Sequence, residues 1–361
     1  MFRSSFAALV ALGCVNVVNA WFRVACTDPL VQERLDPIIS PGVVPSQHVH
    51  TIHGASNFGP NYTYNSLRAS SCTNCEVEQD LSNYWFPKLY FQDPQTKLFE
   101  PVDNGGLLVY YQNRGDGDVS NGGPGLKAFP PGFKMITGNP ARRSKKYPVG
   151  LGTQDELRER AIQWSCLRYS AGQPGYDDNG TGFPTTDCES GFNYVQFTSQ
   201  LPVRSDPTAV PACWDGVNLD SPDHMNHTAF LSGLDNGSCP EGYPVTLMKA
   251  QDCFLSALKF LPLPSDPTGF SWHGDFQNGW DTTALQEAID DCNNPNDATG
   301  SGDTSACQYL TVNTVANANT CKIAPIVNEA INGTLTQLPG CNPLQYGPGD
   351  ATLYTAANCP I

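Results

Sequence analysis

Histidine is scarce in this chain, with six residues in 361. Basic side chains are also few: twenty Lys and Arg stand against thirty-five Asp and Glu, for a formal net charge of −15 and a pI near 4.6. That balance argues against a nucleic-acid binder, since a phosphate backbone demands a basic surface. It argues equally against an anionic membrane surface. Charged residues make up only 15% of the chain, a composition that suits an acidic extracellular medium. Beyond the N-terminus no apolar run approaches the roughly 20 residues needed to cross a bilayer. The end of the chain, Ala356 to Ile361, lacks the hydrophobic tail of a lipid-anchor signal. Common hydrolase signatures are missing as well, with no G-x-S-x-G elbow and no H-E-x-x-H pair. No internal repeat is present.

What is there begins with a leader. Arg3 supplies a positive charge, Phe6 to Val18 form a short apolar stretch, and Val18-Asn19-Ala20 ends on a small residue. This layout predicts a signal peptide over residues 1–20, and hence a secreted, extracellular, soluble protein. The predicted new N-terminus is Trp21, which excludes the copper brace of lytic monooxygenases, built on an N-terminal histidine. One of the fourteen cysteines, Cys14, lies in the leader, which leaves thirteen. In an oxidising compartment these read as disulfides, with an odd thiol free or paired to another molecule. Cys72-x-x-Cys75 has no second pair at zinc-ribbon spacing and reads as structural. N-glycosylation sequons at Asn61, Asn179, Asn226, Asn236 and Asn332 fit the same compartment.

Thirty prolines and thirty-three glycines cut the chain into short pieces and leave little helical periodicity. Gly106–Gln112, Phe192–Gln200 and Tyr84–Phe91 read as strands, rich in aromatic or β-branched residues and flanked by turn formers. The expected fold is mainly β, a sandwich or jelly roll. Three helices are predicted: one from Thr153, where Glu156 completes a capping box, one over Thr283–Cys292, and one near Ile323–Leu335. Asn293 to Asp303 is polar and linker-like. The expected organisation is therefore a main domain over residues 21–292 and a cysteine-stapled extension over 293–361.

The six histidines fall in three motifs: Ser46-Gln47-His48-Val49-His50-Thr51-Ile52-His53, Asp220-Ser221-Pro222-Asp223-His224-Met225-Asn226-His227 and Trp272-His273-Gly274-Asp275-Phe276. Strand alternation puts His48 with His50, His273 with Asp275, and Asp223 with His227 on common faces. A helix or turn at the second motif would instead align His224 with His227. These spacings suit metal ligands or an acid/base couple, and imidazole titrates near the pH of acidic media. Three or four such ligands from separate segments would suit Zn, Mn or Cu. The bland alternative is that each histidine satisfies a loop, with its neighbouring aspartate as partner. Gly42 followed by His48-x-His50 is half a cupin metal motif, but the acid expected next is replaced by Gly54 and Ala55.

Taken in order, further motifs define a resemblance. They are Arg34-Leu-Asp36-Pro37 with Pro41-Gly42, Ser56-Asn57-Phe58, Cys72-Thr-Asn-Cys75 before Ser82-Asn83-Tyr84-Trp85, and Pro131-Gly132-Phe133-Lys134-Met135. Later come Pro211-Ala-Cys213-Trp214-Asp215-Gly216, Leu219-Asp220-Ser221, Cys239-Pro240 and Gly279-Trp280-Asp281. With the histidine motifs, this set resembles DUF1996, a secreted domain of unknown function common in fungi, over roughly Trp21 to Cys292. The resemblance implies export and a shared site of His48, His50, Asp223, His224, His227, His273 and Asp275. His53 lies outside the pattern, and a sugar on Asn226 would crowd the second motif.

The expected function is a carbohydrate-active enzyme, hydrolase or lyase, acting on an extracellular or cell-wall polysaccharide. His48, His50, His224, His227 and His273 are its candidate ligands for a divalent metal, with Asp275 orienting His273. Trp272 and Trp280 are candidate platforms for sugar rings; the alternative for tryptophans is core packing. Asp220 with Asp223, or Asp275 with Asp281, could form a glycosidase pair, although surface aspartates are commoner. Arg34 and Asp36 read as a structural ion pair, and Gly122 to Gly125 as a turn. The alternative from another class is a non-catalytic wall protein that binds carbohydrate or metal.

Overall fold

The computed structural model describes residues 20–164, 181–183, 210–256, 266–293, 298–355 and 357–360. The strands are β1 (Ala20–Cys26), β2 (Val31–Glu33), β3 (His50–Gly54), β4 (Asn83–Pro87), β5 (Tyr90–Gln92), β6 (Phe99–Pro101), β7 (Asn104–Gln112), β8 (Lys134–Gly138), β9 (Cys213–Trp214), β10 (Thr228–Ala229), β11 (Val245–Thr246), β12 (Lys249–Ser256) and β13 (His273–Gln277). Four short α-helices accompany them among the described residues: α1 (Tyr64–Arg68), α2 (Gln154–Arg160), α3 (Thr282–Asp291) and α4 (Val315–Ala318).

Two antiparallel sheets carry the architecture, one in the order β1-β7-β12 and one in the order β2-β3-β4-β13-β8. They face each other across a core that takes Phe22 and Val24 from β1 and Leu107, Val109 and Tyr111 from β7. Tyr84 and Phe86 of β4, Met135 of β8 and Phe276 of β13 fill it from the other side. Each large side chain buried this way contributes about 1.5–3 kcal/mol. One polar group within the core is paired across it: the Tyr84 and Tyr111 hydroxyls lie 2.7 Å apart across the sheets, and Trp280 Nε1 donates to Tyr111 at 2.8 Å. The chain is thus mostly β and takes the sandwich form.

The outer face of the five-stranded sheet is covered too. Ile52, Trp85 and Ile136 project from it into a second cluster with Leu30, Leu35, Ile38 and Phe58. Cys321 belongs to that cluster and is joined to Cys72. Five disulfides lie among the described residues; the other four are Cys26–Cys75, Cys213–Cys239, Cys292–Cys307 and Cys341–Cys359. Cys72 and Cys75 are therefore structural, each with a distant partner. No helix among the described residues is long and apolar enough to cross a membrane.

The expected strand at 106–112 is the C-terminal part of β7. The run 84–91 falls into β4 and β5, because Pro87 has no amide hydrogen to continue the ladder. The run 192–200 lies outside the described residues. Helix α2 starts after Thr153, whose hydroxyl accepts from Glu156 N–H. Helix α3 starts one residue earlier than its sequence pattern indicated, because Asp281 caps it by accepting from Thr283 and Ala284 N–H. The helix expected over 323–335 is absent: Pro325 interrupts it, and Ile326 and Val327 give their N–H groups to the buried Glu33 carboxylate on β2. Ahead of this segment, Arg23 Nε of β1 donates to Gly302 O, and Glu78 N–H to Thr311 O.

Candidate functional site

Strand register determines which histidines can meet. In β3, His50 and Ile52 share the outer face of the five-stranded sheet, whereas His53 points into the sandwich and stacks on Phe86 at 5.7 Å between ring centroids. His50 pairs with Pro87 of β4, and Asp275 of β13 pairs with Trp85. Continuing that register places His273 beside Pro87. His50 and His273 thus flank Pro87 and lean across it, with ring centroids 5.8 Å apart. Opposite His273 on β8 lies Gly138, with φ of +98°, where a Cβ would sit 2.2 Å from the Trp272 carbonyl oxygen. Only glycine permits that approach.

His48 completes the group from the loop before β3. Its ring centroid is 4.3 Å from that of His50, and its Nε2 is 3.2 Å from His273 Nε2. Among the described residues, this is the cluster whose potential metal-ligand atoms all lie within 4.8 Å of one another. Tautomers follow from hydrogen bonding. His50 Nδ1 donates to Leu35 O at 2.8 Å and His273 Nδ1 to Ser271 O at 3.0 Å. Each ring therefore turns an Nε2 lone pair toward the cluster, that of His273 meeting His48 Nε2, the arrangement in which a backbone carbonyl orients a ligating imidazole. His50 Nε2 has no hydrogen-bond partner. Nitrogens bound to one tetrahedral ion at about 2.0–2.1 Å lie about 3.3 Å apart, close to the separation of His48 and His273.

Burial keeps the rings neutral. Desolvation pushes His50 and His273 down to about 4, and His48 well below its ordinary value, with His50 and His273 adding to the effect on His48. The acids beside them behave conversely. Asp275 is fully buried, and neither of its carboxylate oxygens has a hydrogen-bond partner, although Oδ2 lies 3.9 Å from His273 Nε2. Burial first, and Asp36 second, push its pKa well up. Asp36, which the sequence offered only as a structural partner of Arg34, faces His273 electrostatically and accepts from Ile38 and Ile39 N–H. Arg34 pairs instead with Glu329 at 2.6 Å.

The second motif stands apart from this cluster, in a loop along the free edge of β8, where Lys134 N–H donates to Leu219 O and Ile136 N–H to His224 O. Both ring nitrogens of His227 are engaged: Nδ1 with Ser221 Oγ at 2.9 Å and Nε2 with Lys134 O at 2.8 Å. His224 Nδ1 sits 2.7 Å from Asp220. Burial alone would raise Asp223, but hydrogen bonds from Asn226 N–H, the Ser221 hydroxyl and Met225 N–H more than offset it and hold it low. Asp223, His224 and His227 therefore build their own loop, and of the seven-residue site expected from sequence the fold brings together His48, His50 and His273 with Asp275. Asp281 caps α3 and is no partner of Asp275.

The tryptophans are also corrected. Alternation turns Trp272 away from its neighbour His273 into the core, where it stacks on Phe86 and meets Trp164 edge to face. Trp272 and Trp280 are 1% and 0% exposed and present no face to a sugar. What His48 and His273 do border is a cavity of about 300 Å³, walled by Asp36, Pro87 and Lys88 and by C-terminal residues such as Leu338 and Asn342.

Fold and site together define a mostly β, disulfide-bonded protein with three inward-facing imidazoles on the outer face of its larger sheet. By sequence, residues 36–280 match the domain of unknown function DUF1996, and the chain belongs to that family. No curated protein and no solved structure matches it significantly.

Proposed function

We propose that His48, His50 and His273 hold a divalent transition-metal ion in an extracellular protein. The ion would be the catalytic element of a hydrolase or lyase acting on extracellular or cell-wall glycan. One observation carries the metal reading: two buried imidazoles have Nδ1 donated to backbone carbonyls and Nε2 directed at a third ring. Asp275 and Asp36 support it, because a divalent cation would compensate buried carboxyls that otherwise resist ionising. A bound ion of this kind polarises an oxygen or activates water. This chain's residues would orient the ligands, while the covering segments limit water to the cavity side of His48.

The glycan target rests on the expected extracellular setting, which the exposed sequon asparagines at 61, 226, 236 and 332 also fit. A second reading, a non-catalytic metal- or carbohydrate-binding protein, is favoured by access. His50 and His273 are 0% and 3% exposed, so only the half-buried His48 offers an edge to a substrate. Elemental analysis of the purified secreted protein beside a His48→Ala/His50→Ala variant tests the first reading. About one ion per chain, lost in the folded variant, is expected; no metal in either protein ends it. Release of reducing or unsaturated chain ends from cell-wall glycan by the metal-loaded protein separates turnover from binding alone.

A further inference from the structure

The cavity beside the cluster is finished by a part of the chain beyond the family match. Residues 338–353 form one of its walls, through Leu338, Pro339, Cys341, Asn342, Gln345 and Leu353. This segment is latched to the rim of the histidine site. Gln47, next to His48, donates through Nε2 to Cys341 O at 3.1 Å and to Tyr354 O at 2.9 Å, and Asn342 Nδ2 donates back to Gln47 O at 2.9 Å. Arg143 Nε donates to Gln345 O at 3.0 Å, Ala351 N–H to Ala141 O at 2.7 Å, and Lys146 pairs with Asp350 at 2.6 Å. The Cys341–Cys359 disulfide closes the segment on itself. A backbone held at so many points is a wall of fixed shape.

The chemistry of that wall is specific. Val49, Pro87, Ala141, Leu338 and Pro339 line the interior, and Ile39 and Leu353 stand at the mouth, 49% and 68% exposed. Several polar groups that reach it are spent on the latch. Apolar side chains left in water at the entrance of a cavity mark a surface that a ligand covers. At about 300 Å³, the space lies at the small end of ligand pockets, which suits a single terminal unit or substituent better than the interior of a polymer.

Resting on the metal centre proposed above, we infer that segment 338–353 is the specificity-determining wall of the site. The site then selects a small ligand or chain-end substituent with an apolar body and an oxygen-donor head directed at His48 and His273. From a glycan, only a terminal unit or an apolar substituent would reach the centre.

Cobalt(II)-loaded protein titrated with benzohydroxamate and acetohydroxamate, followed by its visible spectrum, tests this. The two probes share a head and differ only in body. The expected result is at least about tenfold tighter binding of the aromatic probe, falling below threefold in Pro339→Ser/Leu353→Ser with cobalt content unchanged. Equal affinities in the native protein, or a preference untouched by the double variant, overturn the inference. Metal-free protein supplies an independent arm: broadening of the fluorine resonance of 4-fluorobenzoate is expected, and its loss in the double variant. A protein that takes up no cobalt but broadens the benzoate signal refutes the metal centre and keeps the apolar wall. One that binds cobalt and discriminates nothing refutes the wall and keeps the centre. One that does neither overturns both.

Discussion

The two histidine regions contain the same ingredients and solve opposite problems. In the loop at 220–227, the side chains bond to one another and to the edge of β8, and His227 has a partner on each ring nitrogen. On the outer sheet face, His50 and His273 each use one nitrogen on a carbonyl; the other nitrogen of His50 is bare and that of His273 meets only the third imidazole, beside the partnerless carboxylate of Asp275. Burying polar groups unmatched costs on the order of 1–3 kcal/mol apiece. A protein retains that cost where something else completes the group. The difference between structural and candidate functional histidines here is whether lone pairs remain unused, and proximity of His to Asp in sequence does not report it.

The largest effect expected from that comparison is on metal content. His273→Ala should take the purified protein from about one ion per chain to below a tenth, since two remaining imidazoles hold an ion much less tightly. His227→Ala should keep the ion while losing roughly 1–3 kcal/mol of stability, because it removes the ring's bonds to the Lys134 carbonyl and the Ser221 hydroxyl. Metal analysis beside denaturant unfolding reads both. Metal lost from the folded His227→Ala protein, or kept by His273→Ala, would erase the distinction between the regions.

The staples of the two regions differ as well. Cys72–Cys321 ties the cover of the outer face across 249 residues of sequence, whereas Cys213–Cys239 spans 26 beside the second motif. On chain entropy, replacing the first pair by serines should cost about 2 kcal/mol more than replacing the second. Urea midpoints of the two double variants, compared at equal m-value, measure the difference. Equal losses would mean that the cover is held by packing and hydrogen bonds alone.

His53 sharpens the contrast from inside the sandwich, since it is buried and yet outside the cluster. Burial lowers its pKa from an ordinary 6.5 to about 3. Between those values the unfolded chain binds a proton that the folded chain refuses, so this group's effect on stability worsens as pH falls through that window and is absent above about 6.5. His53→Gln should remove up to a few kcal/mol of acid sensitivity between pH 6 and pH 4. Parallel stability–pH curves for the variant and the native protein would refute the assignment.

Much of this arrangement was readable in the chain, for reasons that can be stated. The period-two rule places His48 with His50 and His273 with Asp275 without knowledge of the fold, and it holds because both pairs lie in or beside strands. Thr153 announces α2 because capping is local chemistry. Long-range pairing decides the rest. Nothing local says that Pro87 lies between His50 and His273, that Asp36 faces the cluster, or that residues 338–353 wall the cavity. Trp272 shows the limit of adjacency: being next to His273 in a strand places it on the opposite face. The signal that could have excluded His227 was Ser221 six residues earlier, but a loop's internal bonds are invisible until its backbone path is known.

The smallest effect expected is at His224, and it tests the comparison most delicately. This residue has a left-handed backbone, φ of +58°, and its ring sits 2.7 Å from Asp220, which Lys134 also approaches at 2.9 Å. Removing the imidazole therefore leaves Asp220 with a cation, and partly exposed ion pairs of this kind are worth at most about 1 kcal/mol. Asparagine tolerates the left-handed region better than most residues and can still hydrogen-bond the carboxylate. His224→Asn should consequently change stability by less than about 0.5 kcal/mol and leave metal content at its native level. A large loss of the ion in a normally folded His224→Asn protein would show that the loop at the edge of β8 reaches the cluster in solution, and would return the second motif to the site.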